Sequence, residues 1–292
     1  MGVFSDRKKA QSENPLISAI EAATDSLSLG SALSALYNAS DNTLVTPETC
    51  DLLLEKSTLC NEVTCASWYG CSFGWFCREE KGRDIAAPRL RVRDTLFDFA
   101  LKYYDTADSV RCITQAFRFI TLSQSGKLNT SVPEARQVFK KLAAHATSGE
   151  AVRYLCTWMN NCCTIDEGKF NFGHDDVIDG LILCAAEAKT SDAVQWVASA
   201  VANCSEAEGP RAKFFRQDFI DAVFKMVHLP TTLTAEAVRD FYSMLNNITL
   251  SPAGIEIVMA SDKLFHDAII RLGKFVKSDP GVRNTCLTIL NC

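Results

Sequence analysis

AVRYLCTWMNNCCT, running from Ala151 to Thr164, recurs along the chain without a gap. Its counterparts are SVRCITQAFRFITL from Ser109, AVQWVASAVANCSE from Ala193, AVRDFYSMLNNITL from Ala237 and GVRNTCLTILNC from Gly281. The valines Val110, Val152, Val194, Val238 and Val282 are spaced by 42, 42, 44 and 44 residues. Nine residues after four of them stands an asparagine: Asn161, Asn203, Asn247 and Asn291. Phe119 takes that place in the Val110 copy. Gly126, Gly168, Gly209 and Gly254 follow six or seven residues later. A fixed period of this size marks structural repeats stacked on one another.

Each copy reads as an amphipathic helix. Counting from the asparagine as position 0, positions −9, −6, −5, −2 and +1 share one side at ~100° per residue. They are Val152, Leu155, Cys156, Met159 and Cys162 in one copy, and Val238, Phe241, Tyr242, Leu245 and Ile248 in another. This is the expected core stripe, and positions 0, −4, −7 and −8 lie opposite. Asp108, Ser148, Ser191, Thr234 and Asp279 are placed to cap these helices, with Pro280 in a first turn. Between the copies, Val177, Ile178, Leu181 and Ile182 mark a second helix, as do Phe219, Ile220, Val223, Phe224 and Val227. Leu264, Phe265, Ala268, Ile269 and Leu272 mark another. A short apolar piece after each glycine, such as Ile255–Val258, predicts a brief first helix. The repeat therefore holds three helices.

Composition agrees. Hydrophobic residues make up 47% of 292 and charged residues 22%, enough to bury a sizeable core. Only 14 glycines and 8 prolines argue against an all-β chain. A net charge of −5 has the wrong sign for a dedicated nucleic-acid binder. No apolar run has the ~20 residues of a transmembrane helix, and none near the start suits a secretory signal. Thirteen cysteines, an odd number with Cys162 and Cys163 adjacent, read as reduced apolar residues of a cytoplasmic chain, with nuclear or cytoskeletal association open.

Three helices in 42–44 residues, with a Val-Arg start and an Asn-Cys or Asn-Ile end to the third, resemble the armadillo-repeat superfamily. The resemblance implies an all-α, right-handed α-solenoid of about six to seven armadillo-type repeats. It would form one domain over residues 14–292, clearest over 92–292, behind a disordered tail of residues 1–13. Weaker copies lie at Leu29–Asn38 and Val63–Ser72. The stretch Ser72–Val92 lengthens one period to 47 and predicts an added loop.

Position 0 is the candidate site. A carboxamide offers a donor and an acceptor together, so a row of them suits the backbone of an extended peptide. The resemblance implies that role for Asn161, Asn203, Asn247 and Asn291 along a concave groove; the alternative is that each bonds a neighbouring repeat. Arg111, Arg153, Arg239 and Arg283 form a row at −8 that favours an acidic segment, or else pairs with local carboxylates. Tyr154 and Trp196 add aromatic surface at −7. Nuclear-import members of the superfamily carry tryptophan at −4. Here only Trp68, in the Val63 copy, stands there, so that array is missing. The expected function is a non-enzymatic interaction scaffold that binds an extended or helical protein segment without a cofactor. A regulator of a small GTPase or chaperone ATPase, gripping a folded domain, is the alternative.

Other chemistry is sparse. His174-Asp175-Asp176 reads as a helix start, its aspartates favoured by the dipole. Cys60, Cys65, Cys71 and Cys77 lack the paired C-x-x-C spacing of zinc ligands. Met1-Gly2 opens like an N-myristoylation site, but Asp6 stands where Ser or Thr is needed. The Val282 helix reaches Cys292 without a capping repeat, so that end is expected to dock onto a partner or a second copy, or to continue in a longer chain.

Overall fold

The computed structural model describes residues 14–275, which are helical and contain no strand. The chain divides into two compact units, Met1–Thr130 and Ser131–Cys292. Asp279, Pro280 and the Val282 copy, with Arg283 and Asn291, lie outside the described residues, as do the 1–13 tail and the chain end.

The first unit contains α1 (Pro15–Ala22), α2 (Ser26–Ala39), α3 (Pro47–Lys56), α4 (Val63–Phe76), α5 (Glu80–Ala86), α6 (Leu90–Lys102), α7 (Ala107–Ile120) and α8 (Gln124–Thr130). Short 3-10 turns at Asn42–Leu44 and Ser57–Leu59 flank α3. Within this unit α2, α4 and α7 pack side by side, and α1, α3 and α6 form a second layer. The second unit contains α9 (Ala135–Ala143), α10 (Gly149–Cys162), α11 (Asp166–Phe172), α12 (Asp175–Glu187), α13 (Ser191–Ser205), α14 (Glu208–Lys213), α15 (Gln217–Met226), α16 (Ala235–Ile248), α17 (Pro252–Met259) and α18 (Asp262–Gly273). Here α10, α13 and α16 form one row, and α9, α12, α15 and α18 the other. Each helix packs on its counterpart one repeat away, the packing of a helical solenoid within each unit.

The third helices share one length. Five of the six run from position −12 to +1, fourteen residues, and α13 continues one further. Four of their starts carry hydroxyl caps at −13. Thr106, Ser148, Thr190 and Thr234 each accept the N–H three residues on at 3.2 Å. Ser148 and Thr234 are the caps expected; Asp108 instead lies in the first turn and Ser191 is already helical, because the threonines before them take the role. The core stripe is buried as read: Val152, Leu155, Cys156, Met159 and Cys162 are sealed from solvent, as are Phe241, Tyr242 and Ile248.

The recurring glycines have a steric cause. A Cβ on Gly126, Gly168 or Gly254 would collide with the last carbonyl of the preceding third helix, at Ile120, Cys162 and Ile248 respectively. Gly82 stands in the same relation to Phe76. That contact corrects the register of the second copy. Position 0 of α4 is Trp75, not Ser72, and Trp68 falls at −7, level with Tyr154 and Trp196. The corrected period from Ala66 to Val110 is 44 residues, and α5 and α6 occupy the stretch that predicted an added loop. Gly209 is the exception. It is exposed, and the crossing point six residues beyond Cys204 is the buried Pro210.

Gly168→Ala and Gly254→Ala should therefore each destabilise the fold by about 1–3 kcal/mol, since overpacking displaces backbone. Gly209→Ala, whose Cβ meets only Phe170 at 3.4 Å, should be neutral or slightly stabilising in the same thermal melts.

Candidate binding surface

The asparagines sit in the last turn of their helices, where the final carbonyls lack an intrahelical partner. Asn203 Nδ2 donates to Asn160 Oδ1 at 2.9 Å and to the Asn160 carbonyl at 3.4 Å. Asn247 Nδ2 donates to the Ala202 carbonyl at 2.8 Å. Asn160 and Ala202 both stand at −1, so one bond recurs: the carboxamide at position 0 donates to a carbonyl near the end of the preceding third helix, which at Ala202 also accepts from the Ser205 hydroxyl at 3.1 Å. Ser199, at −4, also donates to Asn160 Oδ1, at 2.9 Å. The amide hydrogens of Asn203 and Asn247 are thus spent between repeats, while their Oδ1 atoms accept no hydrogen bond from the described residues. Asn161 is half-buried at the same point of α10.

A second staple of the same kind escaped the sequence reading. Asn129 Nδ2 donates to the Ala87 carbonyl at 2.6 Å in the first unit. Asn171 Nδ2 donates to the Ser131 carbonyl at 2.8 Å in the second. Both asparagines lie ten residues after position 0, in first helices. Arg136 Nη2 holds the Asn171 Oδ1 at 2.9 Å.

The arginine row has local partners. Arg153 lies 3.0 Å from Asp192, one repeat on, and 5.6 Å from the centroid of the Tyr154 ring. Arg239 pairs with Asp240 at 3.0 Å, and Gln195 Nε2 reaches the same carboxylate at 3.2 Å. Arg111 approaches Asp108 at 3.7 Å. Trp196 is half-exposed beside Gln195. The outer helices carry their own ion pairs. Lys140 binds Asp176 at 2.7 Å and holds its carboxyl below the usual range. His174 accepts the Asp176 N–H at 3.4 Å, so the His-Asp-Asp string caps α12.

A cleft of about 330 Å³ opens between α2 and α4 on this exposed side of the third helices. From α2 come Ser26, Leu27, Gly30, Ser31 and Ser34; from α4 and its N-cap come Glu62, Thr64, Cys65 and Trp68. Gly30 faces the Cys65 backbone, where a Cβ would make an ordinary 3.5 Å contact with the Cys65 Cα. The Tyr37 ring, 6.0 Å from that of Trp68 and tilted 51° to it, supports the aromatic wall. Trp68 thus faces small hydroxyl residues, with one carboxylate at the rim. Of the expected site residues, Trp68 borders this cleft, while Asn203, Asn247, Arg153 and Arg239 lie on the second unit. The cleft was hidden in the sequence because the α4 copy was aligned three residues off. Gly82, the unused glycine marker, would have set it right.

The four clustered cysteines do not converge. Cys60 faces Cys65 at 2.6 Å between sulfurs, and Cys71 faces Cys112 of α7 at 2.7 Å. Among the described residues no three His, Cys, Asp or Glu side chains gather as metal ligands would, and no helix is long and apolar enough to cross a membrane. No protein-family model matches the chain, and no curated protein sequence matches it.

Replacing Asn203 and Asn247 together by Ala should lower the melting temperature, because each bond contributes ~0.5–1.5 kcal/mol. At this chain length about 2–4 °C per kcal/mol is expected. An unchanged melting temperature would show that the staples contribute nothing and that the carboxamides are available to a ligand.

Proposed function

We propose that this chain is an armadillo-type, non-enzymatic interaction scaffold, whose third-helix surface holds an extended or helical segment of a protein partner. The cleft at Trp68 carries the reading. It lies where successive third helices present positions −8, −7 and −4, and small hydroxyl side chains line it opposite one indole. An indole wall, a floor of small residues and the Glu62 carboxylate suit a long aliphatic or basic side chain, which an indole face attracts. Arginines already paired with Asp192 and Asp240 add little attraction for an acidic segment, so the partner's charge is recognised at Glu62. Side chains along α10, α13 and α16, Tyr154 and Trp196 among them, extend the same kind of surface in the second unit. The Asn203 and Asn247 Oδ1 atoms there offer acceptors to backbone N–H groups. Eleven free, buried thiols among the described residues fit a reducing compartment such as the cytoplasm.

The full chain should select peptides from a random library that share one long aliphatic or basic residue. Trp68→Ala should weaken their Kd by about tenfold or more, as loss of a buried aromatic anchor does. Glu62→Gln should weaken only the basic ones. Selected peptides that bind Trp68→Ala as tightly as the parent would overturn the reading. So would failure to select any peptide, combined with an altered nucleotide-exchange rate in a folded GTPase or chaperone partner.

A further inference from the structure

Cys60 and Cys65 stand apart from the other thiols in where they sit. Cys60 ends the 3-10 turn Ser57–Leu59, and Cys65 is the third residue of α4. Their sulfurs, 2.6 Å apart, are about half an ångström beyond the ~2.05 Å of a covalent disulfide. Cys65 also borders the cleft, beside Ser26 and Trp68. We propose that this pair is an oxidative modification site, in which Cys65 attacks hydrogen peroxide and Cys60 resolves the product into a disulfide.

Three features single out Cys65 as the attacking sulfur. It lies in the first turn of α4, whose N-cap Glu62 makes no side-chain cap bond, so the uncapped amides and the helix dipole favour a thiolate there. A hydrogen bond shared with the Cys60 thiol and one from the Ser26 hydroxyl hold Cys65 below the usual thiol range against the opposing effect of burial. The same contact pushes Cys60 up. Access is narrow, with Cys65 1% and Cys60 4% exposed, but only Cys65 borders the cleft. The other close pairs lack one or more of these features. Cys71 and Cys112 bridge α4 and α7 without bordering the cleft, and Cys156 with Cys184 and Cys163 with Cys204 are sealed in the core of the second unit.

The chemistry balances. The Cys65 thiolate attacks one peroxide oxygen, forming an S–O bond as the O–O bond breaks, and the departing hydroxide takes a proton to become water. Cys60 then releases its proton and attacks the Cys65 sulfur. The S–S bond forms, the S–O bond breaks, and the displaced hydroxide leaves as a second water. Two thiols and one peroxide give a disulfide and two waters. None of these steps depends on a partner occupying the cleft.

The test treats the full chain with stoichiometric hydrogen peroxide and maps its peptides by mass. A product two hydrogens lighter, with a dithiothreitol-reversible link between Cys60 and Cys65, is expected, while a bulky aromatic disulfide reagent leaves these two thiols of the native chain unlabelled. Cys60→Ser should trap a dimedone-reactive sulfenic acid on Cys65. Cys65→Ser should slow thiol loss at this pair about tenfold or more and leave Cys60 unlabelled. Retention of both thiols, a first link formed elsewhere, or equal labelling of Cys60 in Cys65→Ser would overturn the proposal. Mapping of the unmutated chain decides the matter even if either variant fails to fold. Because the readout is covalent mass, it is separate from the peptide-binding test of Trp68.

Discussion

The crossing of each first helix over the end of the preceding third helix is the contact on which the rest of the architecture depends. At Gly82, Gly126, Gly168 and Gly254 the backbone lies against a terminal carbonyl so closely that no Cβ fits. The residue six beyond that carbonyl fixes where the chain turns back, and hence where the second helix can begin. In four of the six repeats a hydroxyl cap at −13 marks where the next third helix starts. Between those two constraints the third helix has room for fourteen residues, and it uses them in five repeats of six. Where glycine shifts to position 209, a buried proline fills the crossing, because its ring accepts a fixed φ and has no N–H to lose.

Most of this order was legible in the sequence, because period, core stripe and glycine marker are one-dimensional signals. Val152 through Cys162 kept their assigned face, and the second helices fell where their apolar clusters placed them. The failures share a cause. The α4 copy has Trp75 where others have asparagine and begins with a valine at the wrong place, so the apolar spacing admitted an alignment three residues early. Thr106 and Thr190 lost to neighbouring Asp108 and Ser191 for similar reasons, since capping residues cluster and only geometry picks one. The asparagines were visible, but their partners were not. A carboxamide at a helix end carries no mark saying whether it faces a ligand or the next helix.

The surface on which partner recognition is proposed follows from that distinction. Where position 0 is asparagine, as at Asn203 and Asn247, amide hydrogens close the seam between third helices. Where α2 and α4 meet, Gly30, Ser31 and Ser34 leave volume unfilled beside Trp68, and a cleft results. Small residues opposite one indole, rather than a row of carboxamides, make the concave feature. The same α4 terminus that walls the cleft brings Cys65 to its floor, so shape and thiol chemistry meet on one first turn.

Three of the four asparagine staples end on main-chain oxygens alone: Asn247 on Ala202, Asn129 on Ala87 and Asn171 on Ser131. A main-chain acceptor is present whatever residue occupies the position, so the donor repeat asks nothing of its neighbour's side chain there. Side-chain pairs such as Arg153–Asp192 would need two coordinated changes to be rebuilt at a new junction; a staple needs one. Chains joined this way tolerate duplication, loss or exchange of whole repeats, provided the glycine crossing and the cap are copied with them.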